Sequence, residues 1–386
     1  MVRLSSCHNE ESLMLIGLPK EIKNNEFRVG LTPSSVHELH NAGHQIKVET
    51  NAGIGCGFQD SDFVLAGAEI VEHASDIFES SDLIIKVKEP QAIERAQLRP
   101  AQTLFTYLHL APDIPQTNDL LASGATCIAY ETVTDNSGRL PLLAPMSEVA
   151  GRMSIQAGAR CLEKSQKGSG ILLGGVPGVL PANVLILGAG VVGSNATQMA
   201  VGLGANVTVM DKSLDALRHL NTIYGSKIKT LFSTQQTLAE QLLTADLVIG
   251  AVLIPGAAAP KLVTRKLLKT MKQGSAIVDV AIDQGGCFET SHPTTHDQPI
   301  FVEEGVVHYC VANMPGALAR TATQALNNAT LPYVLELANK GIKRALSENP
   351  GLLQGLNIVD GKLTSSSVAS AQQIMAISLE SGLQIL

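Results

Sequence analysis

A glycine-rich turn between an apolar strand and a helix is the strongest constraint in this sequence. Residues 188–193 read GAGVVG, the apolar residues 184–187 precede them, and a helical pattern follows. In such a unit Gly188 allows a tight turn, Gly190 lets the backbone approach a pyrophosphate, and Gly193 lets helix and strand pack closely. The helix N-terminus offers unpaired N–H groups to phosphates. The sequence therefore predicts a dinucleotide-binding site; a glycine turn without a cofactor remains the alternative.

An acidic residue ends the next predicted strand. Asp211 follows Gly193 by 18 residues and closes the run NVTVMD. A carboxylate at this position accepts hydrogen bonds from the ribose hydroxyls and repels a 2′-phosphate. We therefore expect NAD rather than NADP as the cofactor, with the adjacent Lys212 weakening that preference.

Short apolar runs alternate with helical runs along the chain, in two series. The first series predicts strands at residues 14–18, 45–50, 83–90, 103–110 and 126–131, and the second predicts six strands between residues 183 and 312. Six is the strand count of a doubly wound dinucleotide fold, and helical crossovers imply parallel pairing. We predict an α/β fold of two Rossmann-like domains, with parallel sheets that face each other across a cleft.

Helix signals and domain boundaries complete this prediction. Thr32, Pro33 and Gly43 carry the start and stop signals of one helix, and Gly124 ends another. The chain closes with predicted helices at residues 331–346 and 368–384. We assign residues 1–141 plus 319–386 to a substrate domain and residues 142–318 to an NAD-binding domain.

Composition excludes several classes of partner. Lys and Arg total 28 against 35 Asp and Glu, which gives a net charge of −7, and Trp is absent. Nucleic acids and anionic membrane surfaces attract the opposite charge, so neither is expected as a partner. The charge-free run at residues 171–193 is long enough to resemble a membrane span. Its glycines and two prolines favour a loop, strand and turn instead.

The six cysteines form no C-x-x-C pair. Their long spacing argues against a disulfide framework and against a zinc site, so we predict no metal and a reducing, cytoplasmic location. The apolar run that follows Glu10 and Glu11 is too short for a signal peptide, and residues 1–13 are predicted to be a loose extension.

Four polar residues follow predicted strands and could form a chemical site. They are Arg28, Lys88 and His109 in the first series and Asp283 in the second. Ligands of open parallel sheets bind beyond the carboxyl ends of strands, so the four converge if the sheets face each other. Two cations suit a carboxylate substrate, and an imidazole suits proton transfer near pH 7. Each also has an ordinary interpretation: a solvated Arg, a Lys paired with Glu89, a buried His and a turn-capping Asp.

At these residues the sequence resembles the bacterial L-alanine dehydrogenases of the alanine dehydrogenase/transhydrogenase-subunit family. The resemblance covers nearly all of the chain from about residue 14. The stretches that carry it are PKEIKNNEFRVGLTP, KVKEPQ, LFTYLHLA, LLAPMSEVAGRM, LGAGVVGSNA, DLVIGAVLIPGAAAPKLV, IVDVAIDQGGC and HYCVANMPGA. It implies reversible oxidative deamination of L-alanine to pyruvate and ammonium with NAD, in a homohexamer.

The resemblance also implies residue roles. Arg28 and Lys88 would bind the substrate, and His109 and Asp283 would be the proton donors and acceptors. The expected cofactor-binding residues are Ser147, Gly188, Gly190, Val191, Val192, Gly193, Asp211, Ser233, Val252, Leu253, Val280, Ala281, Ile282, Asp283, Val311, Ala312, Asn313 and Met314. Ala216 departs from the family, whose members often carry Lys or Arg five residues after the ribose carboxylate.

Three other functions remain open. They are the NAD-binding subunit of a proton-translocating transhydrogenase, a dehydrogenase of a different amino acid, and a non-catalytic NAD-sensing protein. Arg28, Lys88 and His109 together favour a small-substrate site.

Overall fold

The computed structural model describes residues 13–252 and 259–386, which form two compact units. The first unit contains the described residues up to Pro145 together with Ala319–Leu386, and the second is Met146–Leu318. Leu253, expected above at the cofactor site, lies outside the described residues, as do residues 1–12.

In the described part of the first unit, six strands pair in parallel in the order β3-β2-β1-β4-β5-β6. The strands are β1 (Leu15–Leu18), β2 (Gln45–Glu49), β3 (Glu69–Val71), β4 (Leu83–Ile85), β5 (Thr103–Thr106) and β6 (Thr126–Ala129). The helices between them are α1 (Pro33–Asn41), α2 (Asp60–Leu65), α3 (Ala74–Ser80), α4 (Ala92–Arg95) and α5 (Ile114–Ser123). The strand order reverses between β1 and β4, as in a doubly wound fold.

Local sequence signals account for these elements. Thr32 begins α1, its hydroxyl accepting the Ser35 N–H at 3.2 Å, and Gly43 follows the helix at a φ of +93°. Strands β4 to β6 are buried along their whole length, which is typical of parallel strands covered on both faces. The sequence analysis missed β3 and α3, because a three-residue strand is too short to show a periodic pattern.

The second unit repeats this topology. Its strands are β7 (Asn183–Leu187), β8 (Asn206–Asp211), β9 (Ile228–Phe232), β10 (Leu247–Gly250), β11 (Ala276–Asp279), β12 (Ile300–Glu303) and β13 (Val306–Tyr309). Its helices are α6 (Ala144–Cys161), α7 (Val191–Gly202), α8 (Leu214–Tyr224), α9 (Gln235–Leu242) and α10 (Arg265–Leu268). The strand order is β9-β8-β7-β10-β11-β13-β12, parallel except for β12 at the edge, which pairs antiparallel with β13.

The chain returns to the first unit after residue 318. The remaining elements are α11 (Ala319–Lys340), α12 (Ile342–Glu348), α13 (Pro350–Leu353), β14 (Leu356–Val359), β15 (Lys362–Leu363), α14 (Ser366–Gln372) and α15 (Leu379–Ile385). The hairpin β14–β15 adds to β6 in antiparallel fashion. The sequence analysis missed this hairpin and predicted one helix at residues 368–384. The structure breaks that stretch into α14 and α15, with Gln373 at a φ of +56° between them.

The prediction of an α/β chain with two Rossmann-like, parallel-dominated sheets is confirmed. Several boundaries are corrected: β4 ends at Ile85 and β5 at Thr106, so that Lys88 and His109 lie in the following loops rather than at strand ends. The second sheet gains the edge strand β12 beyond the six predicted strands. The charge-free run contributes β7 and the start of α7, and no helix among the described residues is long and apolar enough to cross a membrane.

The glycine turn sets a prediction for stability. A Cβ on Gly193 would lie 1.8 Å from the carbonyl oxygen of Gly188, whereas a Cβ on Gly202, in the same helix, would meet no atom within 4 Å. We expect Gly193→Ala to lower the free energy of unfolding by about 3 kcal/mol through this backbone clash. Gly202→Ala, the matched control, should leave it unchanged or raise it by up to about 1 kcal/mol. Urea titrations measure both, and equal midpoints for the two variants would contradict this packing.

Candidate functional site

The carboxyl edge of the first sheet gathers the polar residues predicted from the sequence. Arg28 follows β1, Lys88 follows β4 and His109 follows β5. Because β1, β4 and β5 are parallel, their carboxyl ends lie at one edge of the sheet, where open α/β sheets bind ligands. Glu131, which follows β6, joins the same edge.

Arg28 is buried and paired, unlike a solvated loop arginine. Its Nε donates to Glu26 Oε1 at 2.7 Å and its Nη2 donates to Glu26 Oε2 at 2.6 Å. Burial disfavours the charged guanidinium, but the Glu26 carboxylate outweighs this effect, so the pKa of Arg28 lies above its usual value. The bidentate pairing fixes the plane of a group that can also bind a substrate carboxylate.

Helix α11 anchors the loop that carries Arg28. Asn327 accepts the Thr32 N–H at 2.8 Å and donates its side-chain amide to the Val29 carbonyl at 3.4 Å. The Thr323 hydroxyl accepts the Val29 N–H at 3.2 Å. Both side chains are buried. These contacts satisfy backbone groups that no sheet ladder reaches, and they tie the loop to a rigid element.

Lys88 lies in a half-buried loop next to an acidic residue. Its carbonyl oxygen accepts the Thr106 hydroxyl at 3.0 Å. The neighbouring Glu89 forms an ion pair with Lys23. Burial alone would raise the pKa of Glu89. The charges of Lys88 and Lys23, together with the hydrogen bond from Lys23, outweigh this effect, so the pKa of Glu89 lies below its usual value.

A fully buried lysine lies two residues before Lys88. Lys86 Nζ is 3.0 Å from Glu21 Oε2 and 2.8 Å from Glu94 Oε1. Burial disfavours the ammonium group, but the two carboxylates more than compensate and raise the pKa of Lys86. Burial likewise raises the pKa of Glu21, against the lowering effect of Lys86. The sequence analysis missed this cluster, although charged residues inside an apolar strand run were a usable signal.

His109 is held with its ring half exposed. Its backbone adopts a left-handed conformation with a φ of +49°, and its N–H donates to Glu131 Oε1 at 2.6 Å. The ring stacks on Tyr107 with centroids 5.7 Å apart, and Nδ1 lies 3.8 Å from Glu131 Oε1. His109 is therefore not a buried core histidine. The sequence analysis missed Glu131, although it shares the strand-exit position of the others.

The glycine turn fits a dinucleotide. Gly188 adopts a φ of +106°, which favours glycine, and a Cβ on Gly190 would meet only open space within 4 Å. Gly190 begins α7, whose first N–H groups can receive phosphate oxygens. Asp211 accepts the Ala189 N–H through Oδ2 at 2.6 Å and the Ser213 N–H through Oδ1 at 2.7 Å. The carboxylate thus fixes the turn while lying at the strand end that the ribose position requires.

The other expected cofactor residues of the second unit lie near the same sheet edge. Ser147 is half-buried in the first turn of α6, and the Ser233 N–H donates to the Asp211 carbonyl at 2.9 Å. Val191 is exposed at the start of α7, whereas the Val192 side chain packs in the hydrophobic core. A contact of Val192 with a phosphate would therefore involve its backbone.

Two further segments of the cofactor set lie next to each other. Asp283 is exposed on the short 3-10 helix Val280–Gln284, directly after β11. Its Oδ2 lies 3.5 Å from the N–H of Asn313, which adopts a φ of +59°. Some residues of these two segments are buried, namely Ala281, Ile282, Val311 and Met314, and others are half-buried, namely Val280, Ala312 and Asn313. Val252, which follows β10, is also half-buried.

The first unit thus carries two cationic side chains and an imidazole at one sheet edge, and the second unit carries a glycine turn and an acidic residue that fit a dinucleotide. The convergence of Asp283 with Arg28, Lys88 and His109 stays a prediction. Within the described ranges, no group of three His, Cys, Asp or Glu side chains is arranged to hold a metal ion.

Comparison with known proteins identifies the family. The model of the alanine dehydrogenase/PNT N-terminal domain matches residues 17–150, and that of the C-terminal domain matches residues 154–366. The chain belongs to the alanine dehydrogenase/PNT family. The C-terminal family model runs past residue 318 into the return segment that packs in the first unit.

Relatives within the alanine dehydrogenase/PNT family match over most of their length. Alanine dehydrogenase of Halomonas elongata is 60% identical over 93% of this chain and 96% of its own, and that of Bacillus subtilis is 55% identical over 92% and 94%. A solved L-alanine dehydrogenase has a TM-score of 0.91 and 54% identity, covering 93% of this chain and 99% of its own. A transhydrogenase of Sinorhizobium meliloti, 24% identical with a TM-score of 0.78, shares the fold.

The Glu89 ion pair predicts a pH dependence of stability. Because its folded pKa is lowered, Glu89 contributes stability above its unfolded pKa near 4.5, and this contribution is lost as the pH falls through the folded value. We expect the difference in unfolding free energy between the wild type and Glu89→Gln to shrink below about pH 4. Denaturant titrations from pH 7 to pH 3 measure it. A difference that stays constant or grows on acidification would contradict the lowered pKa.

Proposed function

We propose that this chain is an NAD-dependent L-alanine dehydrogenase, which converts L-alanine, water and NAD⁺ reversibly to pyruvate, ammonium, NADH and a proton. The observation that carries the proposal is the buried Arg28–Glu26 pair at the same sheet edge as Lys88 and His109. It occurs in a chain that is 60% identical to an alanine dehydrogenase over nearly its full length.

In this proposal the two cations bind the substrate carboxylate. The guanidinium of Arg28, oriented by Glu26, supplies planar N–H donors for a bidentate contact. Lys88 supplies a point charge that also polarises the carbonyl oxygen of pyruvate. Holding the carboxylate at two points fixes the orientation of the substrate Cα–H bond, which is how positioning contributes to rate.

Proton transfer falls to His109 and Asp283. We assign the exchange with substrate and water to Nε2 of His109, because Nδ1 faces Glu131 at 3.8 Å. The imidazole accepts a proton from the water that adds to the substrate carbon and returns it to the leaving amine. Asp283 serves as a second proton acceptor.

The cofactor residues bind NAD in this proposal. NAD, when bound, supplies the hydride acceptor, and the protein supplies orientation and charge. The turn at Gly188, Gly190 and Gly193 and the start of α7 receive the pyrophosphate, and Asp211 receives the ribose. Ser147 contacts the cofactor and Ser233 lies near the adenine in this proposal. Val252 lines the nicotinamide side together with Leu253, which lies outside the described residues, and residues 280–283 and 311–314 close the site.

One assay tests the activity. The purified chain should form NADH from L-alanine and NAD⁺ and consume NADH with pyruvate and ammonium. Hydride exchange that requires a partner subunit and a second nucleotide would instead identify the transhydrogenase activity. NAD binding without turnover of any amino acid would identify a sensing protein. Turnover of a different amino acid, with none of alanine, would identify a dehydrogenase of that amino acid.

His109→Ala should lower kcat by about 10²–10⁴-fold, the usual contribution of general acid–base catalysis. His37→Ala, at an exposed position on α1, is the matched control and should keep its kcat. Steady-state NADH oxidation with saturating pyruvate and ammonium measures both. A His109→Ala enzyme within threefold of the wild type would remove His109 from the mechanism.

The charge of Asp211 should set the preference for NAD over NADP. Asp211→Asn keeps one of the two hydrogen-bond acceptors of the turn and removes the charge that repels a 2′-phosphate. The ratio of kcat/KM for NADH to that for NADPH should fall by roughly tenfold, about 1.4 kcal/mol. Asp215→Asn removes an exposed carboxylate on α8 and should leave the ratio unchanged. Equal ratios in all three proteins would exclude Asp211 as the selectivity residue.

The oligomeric state and the cellular location of the protein are proposed from observations outside the site. The homohexamer follows from the family resemblance, and analytical ultracentrifugation tests it. A cytoplasmic location is proposed from the cysteines: Cys56, Cys127, Cys161, Cys287 and Cys310 are free and buried, as suits a reducing compartment.

A further inference from the structure

The backbone leading to Lys88 is held by a buried side chain from a distant part of the sequence. Beyond the end of β4, Glu21 Oε1 accepts the Val87 N–H at 2.6 Å and the Lys88 N–H at 3.3 Å. On the opposite side, the Thr106 hydroxyl donates to the Lys88 carbonyl at 3.0 Å. Both polar backbone groups of Lys88 therefore have side-chain partners.

Glu21 belongs to a buried ion cluster with Lys86 and Glu94, and a gain in stability is not sufficient to account for this cluster. Lys86 has two carboxylate partners, Glu21 and Glu94, and all three side chains are buried. Replacing a buried ion cluster with well-packed apolar residues is often neutral or stabilising. Glu94 already neutralises Lys86. What Glu21 adds is its second oxygen, which accepts the N–H groups of Val87 and Lys88.

We propose that Glu21 is a positioning residue for Lys88, setting the backbone from which the Lys88 side chain reaches the substrate. This inference rests on the proposed function, because it takes Lys88 as a substrate-binding residue. Glu21 touches neither substrate nor cofactor in this account. Its loss should weaken substrate binding through Lys88 and leave NADH binding unchanged.

A set of three variants separates positioning from charge and packing. Glu21→Ala removes the hydrogen bonds to Val87 and Lys88 together with one carboxylate. Glu94→Ala removes one carboxylate from the same Lys86 but leaves those hydrogen bonds in place. Glu21→Gln keeps an oxygen that can accept the two N–H groups, although its amide NH₂ faces Lys86 and should lower stability.

We expect the KM for pyruvate to rise on the order of tenfold in Glu21→Ala, because a small misplacement of a binding group costs this much or more. The KM for NADH should not change. Glu94→Ala and Glu21→Gln should stay within about threefold of the wild-type KM for pyruvate, even where their unfolding midpoints fall. A pyruvate KM in Glu94→Ala or Glu21→Gln as high as in Glu21→Ala would assign Glu21 a purely structural role.

Amide hydrogen exchange supplies a measurement independent of activity. The peptide at residues 83–90 should lose protection at Val87 and Lys88 in Glu21→Ala but not in Glu94→Ala. Wild-type protein without turnover of alanine or pyruvate would reject the proposed function, whereas unchanged protection in Glu21→Ala would reject the positioning role. If Glu21→Ala does not fold, Glu21→Asp replaces it: the shorter side chain keeps the negative charge but withdraws its oxygen from the Val87 and Lys88 N–H groups. The pyruvate KM should then rise several-fold, and an unchanged KM would overturn the inference.

Discussion

The burial of charge is the constraint on which the first unit of this molecule depends. Arg28 and Lys86 are removed from water at one edge of the first sheet, and each is stable there only because carboxylates accompany it. The pairing does more than offset desolvation. Glu26 orients the guanidinium through two parallel hydrogen bonds, and Glu21 fixes the backbone before Lys88. The requirement that buried charges be paired therefore fixes the geometry of the sheet edge at which we propose that the substrate carboxylate binds.

The two units share most of their sheet topology but carry different residues at the ends of their strands. Counted from the first strand of each unit, both sheets share the parallel order 3-2-1-4-5, followed by β6 in the first sheet and by β13 in the second, which leaves loops of adjacent strands at a common edge. In the first unit those loops carry cations and an imidazole, and hydrogen bonds from side chains elsewhere in the unit hold the backbone of each loop. In the second unit the corresponding loop is a glycine turn, in which the backbone itself faces open space at Gly190. Fold alone does not distinguish these roles, but the residues at the strand exits do.

The fold class and the glycine turn could be predicted because their signals are local. Thr32 and Gly43 bound α1, and Gly188, Gly190 and Gly193 lie where backbone geometry requires them. The hairpin β14–β15 was missed because its partner, β6, lies more than 200 residues away in sequence. Glu21, Lys86 and Glu131 were missed for the same reason: their roles depend on contacts with residues 22 to 66 positions away. Leu253 lies outside the described residues, and its role stays a prediction.

The proposed function is that residues of both units take part in one hydride transfer from NADH to a three-carbon acid. It is tested most directly by isotope transfer: NADH deuterated at both C4 positions is incubated with the protein, pyruvate and ammonium, and the alanine formed is analysed by mass spectrometry. Direct hydride transfer should give alanine that carries one deuterium at Cα, with the label retained in water of ordinary composition. Alanine without deuterium, or oxidation of NADH with no alanine formed, would contradict it.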